Sequence, residues 1–263
     1  MDADYAVVAR PAVYRRLRLW NLGAGVFHLV QGILMVVLAS SWSIPITTNY
    51  AIAETDGPPA GKSETVQLVM IRLGVAVSLF LFMSAVAHFA VSAPGINQWY
   101  VRNLKQHVNY ARWIEYAFSA SWMIILIAML SGMYDLSSLI LLGVLNATML
   151  LFGLLMEHFN RARKEPDWLP FYFGCISWVV PWVIVFLYFA GARGPDGGGP
   201  PGFVYGIVTS LFVFFSIFAL NMVLQYKRWG KWRNYLYGEK VYIVLSFTAK
   251  ALLAWQVFAG TLG

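Results

Sequence analysis

The sequence predicts an all-α membrane protein: one bundle of seven transmembrane helices with a short β-hairpin in the first extracellular loop. Three observations carry that prediction. Of the 263 residues, 59% are hydrophobic and only 12% charged, against roughly 45–50% and about 25% in soluble domains. Seven apolar runs reach the length of about 20 residues that a helix needs to cross ~30 Å of hydrocarbon. Lysines and arginines collect in alternate segments between those runs, as they do when a chain is threaded through a bilayer.

The first run, about 19–39, follows "YRRLRLW" (14–20). A basic stretch before an apolar one imitates a secretory leader, but no small-residue cleavage site follows, so it reads as a retained span. Next, the segment 40–65 contains "SWSIPITTNYAIAETDGPPAGKSE", β-branched and aromatic in its first half and punctuated by Asp-Gly-Pro-Pro in its second. That pattern predicts a small surface hairpin. The remaining runs are about 66–92, 108–131, 136–156, 169–190, 202–226 and 239–261, bounded by Pro94, Pro166, "GPDGGGPPG" (194–202) and a stop at Gly238. There is no internal repeat and no linker, so residues 1–263 are expected to form one domain.

An odd number of spans puts the termini on opposite faces. One face collects Arg10, Arg15, Arg16, Arg18, Arg102, Lys105, Arg112, Arg161, Arg163, Lys164, Lys227, Arg228, Lys231, Arg233 and Lys240, and the other Lys62, Arg72 and Arg193. Basic loops mark the cytoplasmic side. The expectation is a multi-pass protein of the cell membrane with its N-terminus cytoplasmic and its C-terminus extracellular. The net charge of +7 is scattered between apolar runs, which argues against a nucleic-acid partner. Cys175 is the only cysteine, so no intrachain disulfide forms, and no spacing of His, Cys, Asp and Glu matches a metal site.

Lys250 breaks the charge pattern. It stands in "SFTAKALLAWQ" (246–256), ten residues beyond Lys240, which is roughly 15 Å along a helix rising about 1.5 Å per residue. A lysine stem of about 6 Å does not return its ammonium to either interface from there. The insertion cost of about 2.5–3.5 kcal/mol is tolerable in so apolar a helix, and a desolvated amine is a nucleophile that condenses with aldehydes. A cationic linkage at that nitrogen needs a carboxylate within a few ångströms. Glu115, ten residues past Lys105 on the third span, has matching depth; its rival partner is Arg112, three residues back on the same helix.

Ser246, one turn before Lys250, either accepts a hydrogen bond from the linkage nitrogen or back-bonds to its own helix. Ile243 and Glu239 continue its stripe. His28 and Gln31 on the first span and His88 on the second fall near Glu115, a grouping able to take up or relay a proton. Trp113, Trp122, Trp178, Trp182, Phe214, Phe215 and Trp255 supply belt residues or the walls of a slot for a long, flat, conjugated ligand.

These residues lie in segments that resemble the heliorhodopsin family: "AGVFHLVQ" (24–31), "SAVAHF" (84–89), "RWIEY" (112–116), "LPFYFGC" (169–175), "VPW" (180–182), "PGFVYGI" (201–207), "LQYK" (224–227) and "YIVLSFTAKALLAWQ" (242–256). The resemblance implies a rhodopsin-like bundle with all-trans retinal attached to Lys250 as a protonated Schiff base, Glu115 as counterion and Ser246 beside the linkage. It implies a cofactor site that includes Ser84, Trp113, Tyr116, Asn146, Pro181 and Phe215, the last where microbial pumps commonly carry a tryptophan. It implies a proton network of His28, His88, Gln31, Asn109 and Glu239. Further implications are a homodimer, an N-terminus inside, and light sensing without enzymatic activity or efficient pumping. Gly143, Gly153 and the 40–65 hairpin are physical hints for the dimer.

A pump needs acceptor and donor groups in series. Here Ser119, Trp122 and Leu126 follow Glu115, and Ser246 stands where familiar pumps carry a second acid. The implied mechanism is an isomerisation that moves the linkage nitrogen relative to Glu115 and Ser246, releases its proton to the Glu/His network and biases a helix rearrangement at the cytoplasmic face. There the basic loop 227–234 and the mixed-charge loop 157–168 either meet a signalling partner or serve topology and anionic lipid. Two other classes remain open. One is a light-driven proton or ion transporter through His28, His88 and Glu239; the other is a retinal-free membrane enzyme or carrier in which Lys250 and Glu115 form a structural ion pair.

Overall fold

The computed structural model describes residues 11–52, 63–193 and 197–261. Arg10 and Lys62 of the charge count, and the Asp-Gly-Pro-Pro turn of the hairpin segment, lie outside the described residues. In chain order the elements are helix α1 (Pro11–Val37), strands β1 (Ser43–Ala51) and β2 (Ser63–Arg72), helices α2 (Leu73–Ser92), α3 (Ile96–Leu104), α4 (Tyr110–Leu130), α5 (Leu136–Asn160), α6 (Leu169–Gly191) and α7 (Gly202–Tyr226), a 3-10 turn at Gly230–Arg233, and helix α8 (Tyr235–Gly260). All of these helices except α3 are long and apolar enough to cross a bilayer, seven in total among the described residues. The bundle has a hairpin end, where β1 and β2 lie, and a basic end.

Local chemistry explains where the elements begin. Asn109 caps α4 by accepting from Arg112 N at 3.0 Å, Asp135 caps α5 from Ser138 N at 2.9 Å, and Asn234 caps α8 from Leu236 N at 3.0 Å. The turn between α4 and α5 passes through Gly132 at φ +102°, a backbone that side chains disfavour. Pro181 lies inside an uninterrupted α6.

Several boundaries differ from the sequence reading. The apolar run that begins at 66 is strand up to Arg72, because its β-branched residues pair with β1 from Ser43↔Arg72 to Ala51↔Ser63, with a bulge between Ile46 and Thr47. Thr47 N donates to Tyr134 O at 2.9 Å, which docks the hairpin on the α4–α5 turn. Gly238 is not a helix stop. It lies within α8, where Gln225 of α7 packs against it. The connection from α2 to α4 contains α3, which buries Tyr100 and Leu104.

Small residues bring helices close, as packing without a hydrophobic driving force requires. Gly25 and Gly32 of α1 sit against Phe89 and Phe82 of α2. Gly143 and Gly153, the sequence hints for a dimer, are covered inside the chain instead, by Ile125 and Trp113 of α4. The two halves of the interior differ in chemistry. Toward the hairpin end Leu73, Val77, Phe80, Leu81, Ile124, Leu126, Ile127 and Leu253 are completely buried, and Ser78 and Ser131 bond back to their own helices. Toward the basic end the buried residues include Asn21, His28, Asn109, Arg112, Glu157 and Glu239.

Candidate functional site

Lys250 of α8 is 2% exposed. Its Nζ donates to Glu115 Oε1 at 2.8 Å and to Ser246 Oγ at 3.0 Å. The second contact follows from the i−4 spacing on one helix face. Ser246 is not left to back-bond: the Tyr242 carbonyl one turn behind it accepts Tyr116 Oη at 3.0 Å. Ser84 Oγ, from α2, donates to the same Glu115 oxygen at 2.6 Å. Helices α2, α4 and α8 therefore converge on one carboxylate, which a buried charge needs if its lone pairs are to be satisfied.

This pair stands between two cavities of opposite character. The first is apolar, walled by Ala120, Met123, Met149, Leu150, Phe215 and Phe218, and closed by Tyr116, Ser246, Ala249 and Lys250. The second is the more polar of the two, bordered by Asn21, His88, Tyr100, Asn109, Arg112 and Glu239 together with Glu115 and Tyr116, among the apolar Ala87, Val91, Ala111 and Ile243. Its volume of about 40 Å³ is sufficient for ordered water. An amine that lines an aromatic and methionine-rich cavity, with hydroxyls only beside the nitrogen, suits an apolar aldehyde joined through that nitrogen. A polar ligand would leave its own groups unpaired against those walls.

The other sequence candidates are distributed around this centre. Phe215 lines the apolar cavity and meets Trp182 edge-on, with ring centres 5.6 Å apart. Pro181, next to Trp182, and Asn146 are buried but do not border the cavity itself; Asn146 donates to Ser121 Oγ at 3.1 Å and ties α5 to α4. Trp113 is turned toward the basic end, where its indole donates to Glu157 Oε2 at 2.8 Å. His28 and His88 stack with ring centres 5.6 Å apart and 11° between their planes. His88 Nδ1 lies 2.8 Å from Asn21 Oδ1, whereas both ring nitrogens of the fully buried His28 lack a partner among the described residues. Gln31 accepts from Trp255 Nε1 at 2.9 Å.

Sequence reasoning missed the ionic cluster under the polar cavity. Arg112 does not pair with Glu115. Its two terminal nitrogens go to Glu157 of α5 and Glu239 of α8. Asn109 bonds both carboxylates, donating from N to Glu157 Oε2 at 2.9 Å and from Nδ2 to Glu239 Oε2 at 2.7 Å. In sequence Arg112 reads as a loop cation and Glu157 as part of a charged loop. The available signal was their immediate neighbours, Trp113 and Met156, whose residue types belong in a core and extend each helix past the charge.

The family model described as Heliorhodopsin matches residues 17–262. Comparison with curated proteins finds no match. Solved structures of similar fold include the transmembrane domain of Salpingoeca rosetta rhodopsin phosphodiesterase, 16% identical, covering 95% of this chain and 88% of that one at a TM-score of 0.62. The same domain with its linker region is also 16% identical and covers 93% of this chain and 79% of that one at a TM-score of 0.65. At such identity the likeness is one of fold.

Proposed function

Because the chain belongs to the heliorhodopsin family, we propose that it is a light-sensing retinal protein: Lys250 Nζ carries all-trans retinal as a Schiff base, and the output is a conformational signal without net ion transport. The observation that carries this reading is the buried Lys250–Glu115 pair, 2.8 Å apart, with its amine on an apolar cavity. When bound, retinal would supply light absorption and an isomerisation about a double bond of its polyene.

The chain's own residues then do the rest. Glu115, held in place by Ser84, balances the positive charge at Nζ, and Ser246 orients Nζ by accepting its second hydrogen bond. A buried charge that loses its partner costs about 3–5 kcal/mol, so a displacement of Nζ from Glu115 is enough to drive proton release and bias a helix equilibrium. The released proton goes toward the basic end, where His88 borders the polar cavity and His28 stacks on it. In the other direction the buried Phe80, Leu81, Ile124, Ile127 and Leu253 are apolar, and the buried Ser78, Ser119, Ser121 and Ser131 there carry hydroxyls but no ionisable group. One-sided polarity supports sensing over transport, since a pump needs groups in series across the whole membrane.

The basic end is assigned to the cytoplasm, with the C-terminus outside. The protein is assigned to the cell membrane as a homodimer that passes its signal to a cytoplasmic partner and performs no enzymatic step of its own. Adding all-trans retinal to the purified protein should produce a visible pigment, and Lys250→Ala should stay colourless. Voltage-clamped membranes containing the pigment should carry no stationary photocurrent; a sustained current would instead establish a transporter.

A further inference from the structure

Arg112 sits three residues before Glu115 on α4, a spacing at which arginine and glutamate commonly pair on a helix, and both border the polar cavity. Yet the guanidinium is held elsewhere. Its terminal nitrogens belong to Glu157 and Glu239, and its Cζ lies 4.0 Å from the ring centre of Tyr242 and 4.7 Å from that of Trp113. Glu157, itself 1% exposed, is fixed by Trp113 Nε1 at 2.8 Å, Asn109 N at 2.9 Å and Tyr235 Oη at 3.3 Å. Gly153, one turn before Glu157, makes room for that indole: any side chain there would run into it.

We infer that Glu157 is a positioning residue for the retinal linkage: with Glu239 it holds Arg112 away from Glu115, so that Glu115 has a single cation to balance, the Lys250 nitrogen. This rests on the proposed attachment at Lys250. Two cations sharing one carboxylate would each be neutralised less well. Arg112 Nε has no partner among the described residues, so a donor is available to turn to Glu115 through the cavity once the grip loosens. Among the described residues, the other charged or titratable groups around Glu115 are Lys250 and Glu239 of α8, His88 of α2, His28 of α1, Tyr100 of α3 and Tyr116 of α4. None of these is a second permanent cation.

The test is spectral, on purified protein regenerated with all-trans retinal. Glu157→Gln should move the absorption maximum to longer wavelength and lower the midpoint of alkaline colour loss by about one to two pH units, the scale of one charge acting at ~7 Å through an effective dielectric of about 20. Glu157→Asp, which keeps the charge, should recover most of both. Adding Arg112→Gln to Glu157→Gln removes the competing cation and should return the maximum close to that of the unaltered pigment. Trp113→Phe removes one donor to Glu157 and should shift the spectrum the same way by less, which covers the case in which Glu157→Gln does not fold. An unshifted Glu157→Gln or Trp113→Phe pigment, or a double variant shifted as far as the single, overturns the inference. An unaltered protein that never colours overturns the attachment at Lys250 instead.

Discussion

Lys250 and Glu115 meet at 2.8 Å, as their equal spacing from Lys240 and Lys105 leads one to expect, but a continuous helix underlies that spacing only for Lys250: Lys105 caps α3, and Glu115 belongs to α4, which begins at Tyr110. Ser246 follows from helical spacing alone. The partners of Arg112 do not, because Glu157 and Glu239 are 45 and 127 residues away and only the packing of α5 and α8 decides which carboxylate wins. Two predictions belong at this scale. Glu115→Gln should shift the absorption of the regenerated pigment to longer wavelength, since a neutral amide no longer localises positive charge at the nitrogen; an unchanged spectrum removes Glu115 from the counterion role. Asn109→Ala deletes both a helix cap and a donor to Glu239, so a loss of about 1–3 kcal/mol in stability is expected from its unfolding curve.

Among the elements, the long apolar helices were legible because about 20 consecutive apolar residues have few other uses. The start of α2 was not, because Val66–Ile71 is as apolar as a helix, and only its pairing with β1 makes it a strand. α3 was equally hidden. Its sequence "INQWYVRNL" is amphipathic and nine residues long, and the burial of Tyr100 and Leu104 is a tertiary fact. Gly153 shows the same dependence on context: it reads as a dimer hint and serves as the socket for Trp113. Gly153→Ala should overpack that socket at a cost of about 1–3 kcal/mol, seen as a lower melting temperature of the pigment. An unchanged melting temperature would mean the indole has another place to go.

Across the molecule, buried charge is divided between two ends: Arg112, Glu157 and Glu239 lie toward the basic loops, while the half toward the hairpin is apolar apart from a few buried hydroxyls. Charge counting anticipates the asymmetry of the loops, but the asymmetry of the interior depends on which helix faces turn inward, which no single apolar run reveals. The assigned orientation is open to a direct check. Proteolysis of right-side-out vesicles should spare a tag at the N-terminus and remove one at the C-terminus, and the opposite pattern would invert the assignment. All of this turns on a covalent bond at one nitrogen. Borohydride reduction of the regenerated pigment, which fixes a Schiff base as a stable amine, followed by peptide mass mapping, should find the retinyl group on the peptide containing Lys250 and on no other. An unmodified Lys250, or an adduct confined to another lysine, would contradict it.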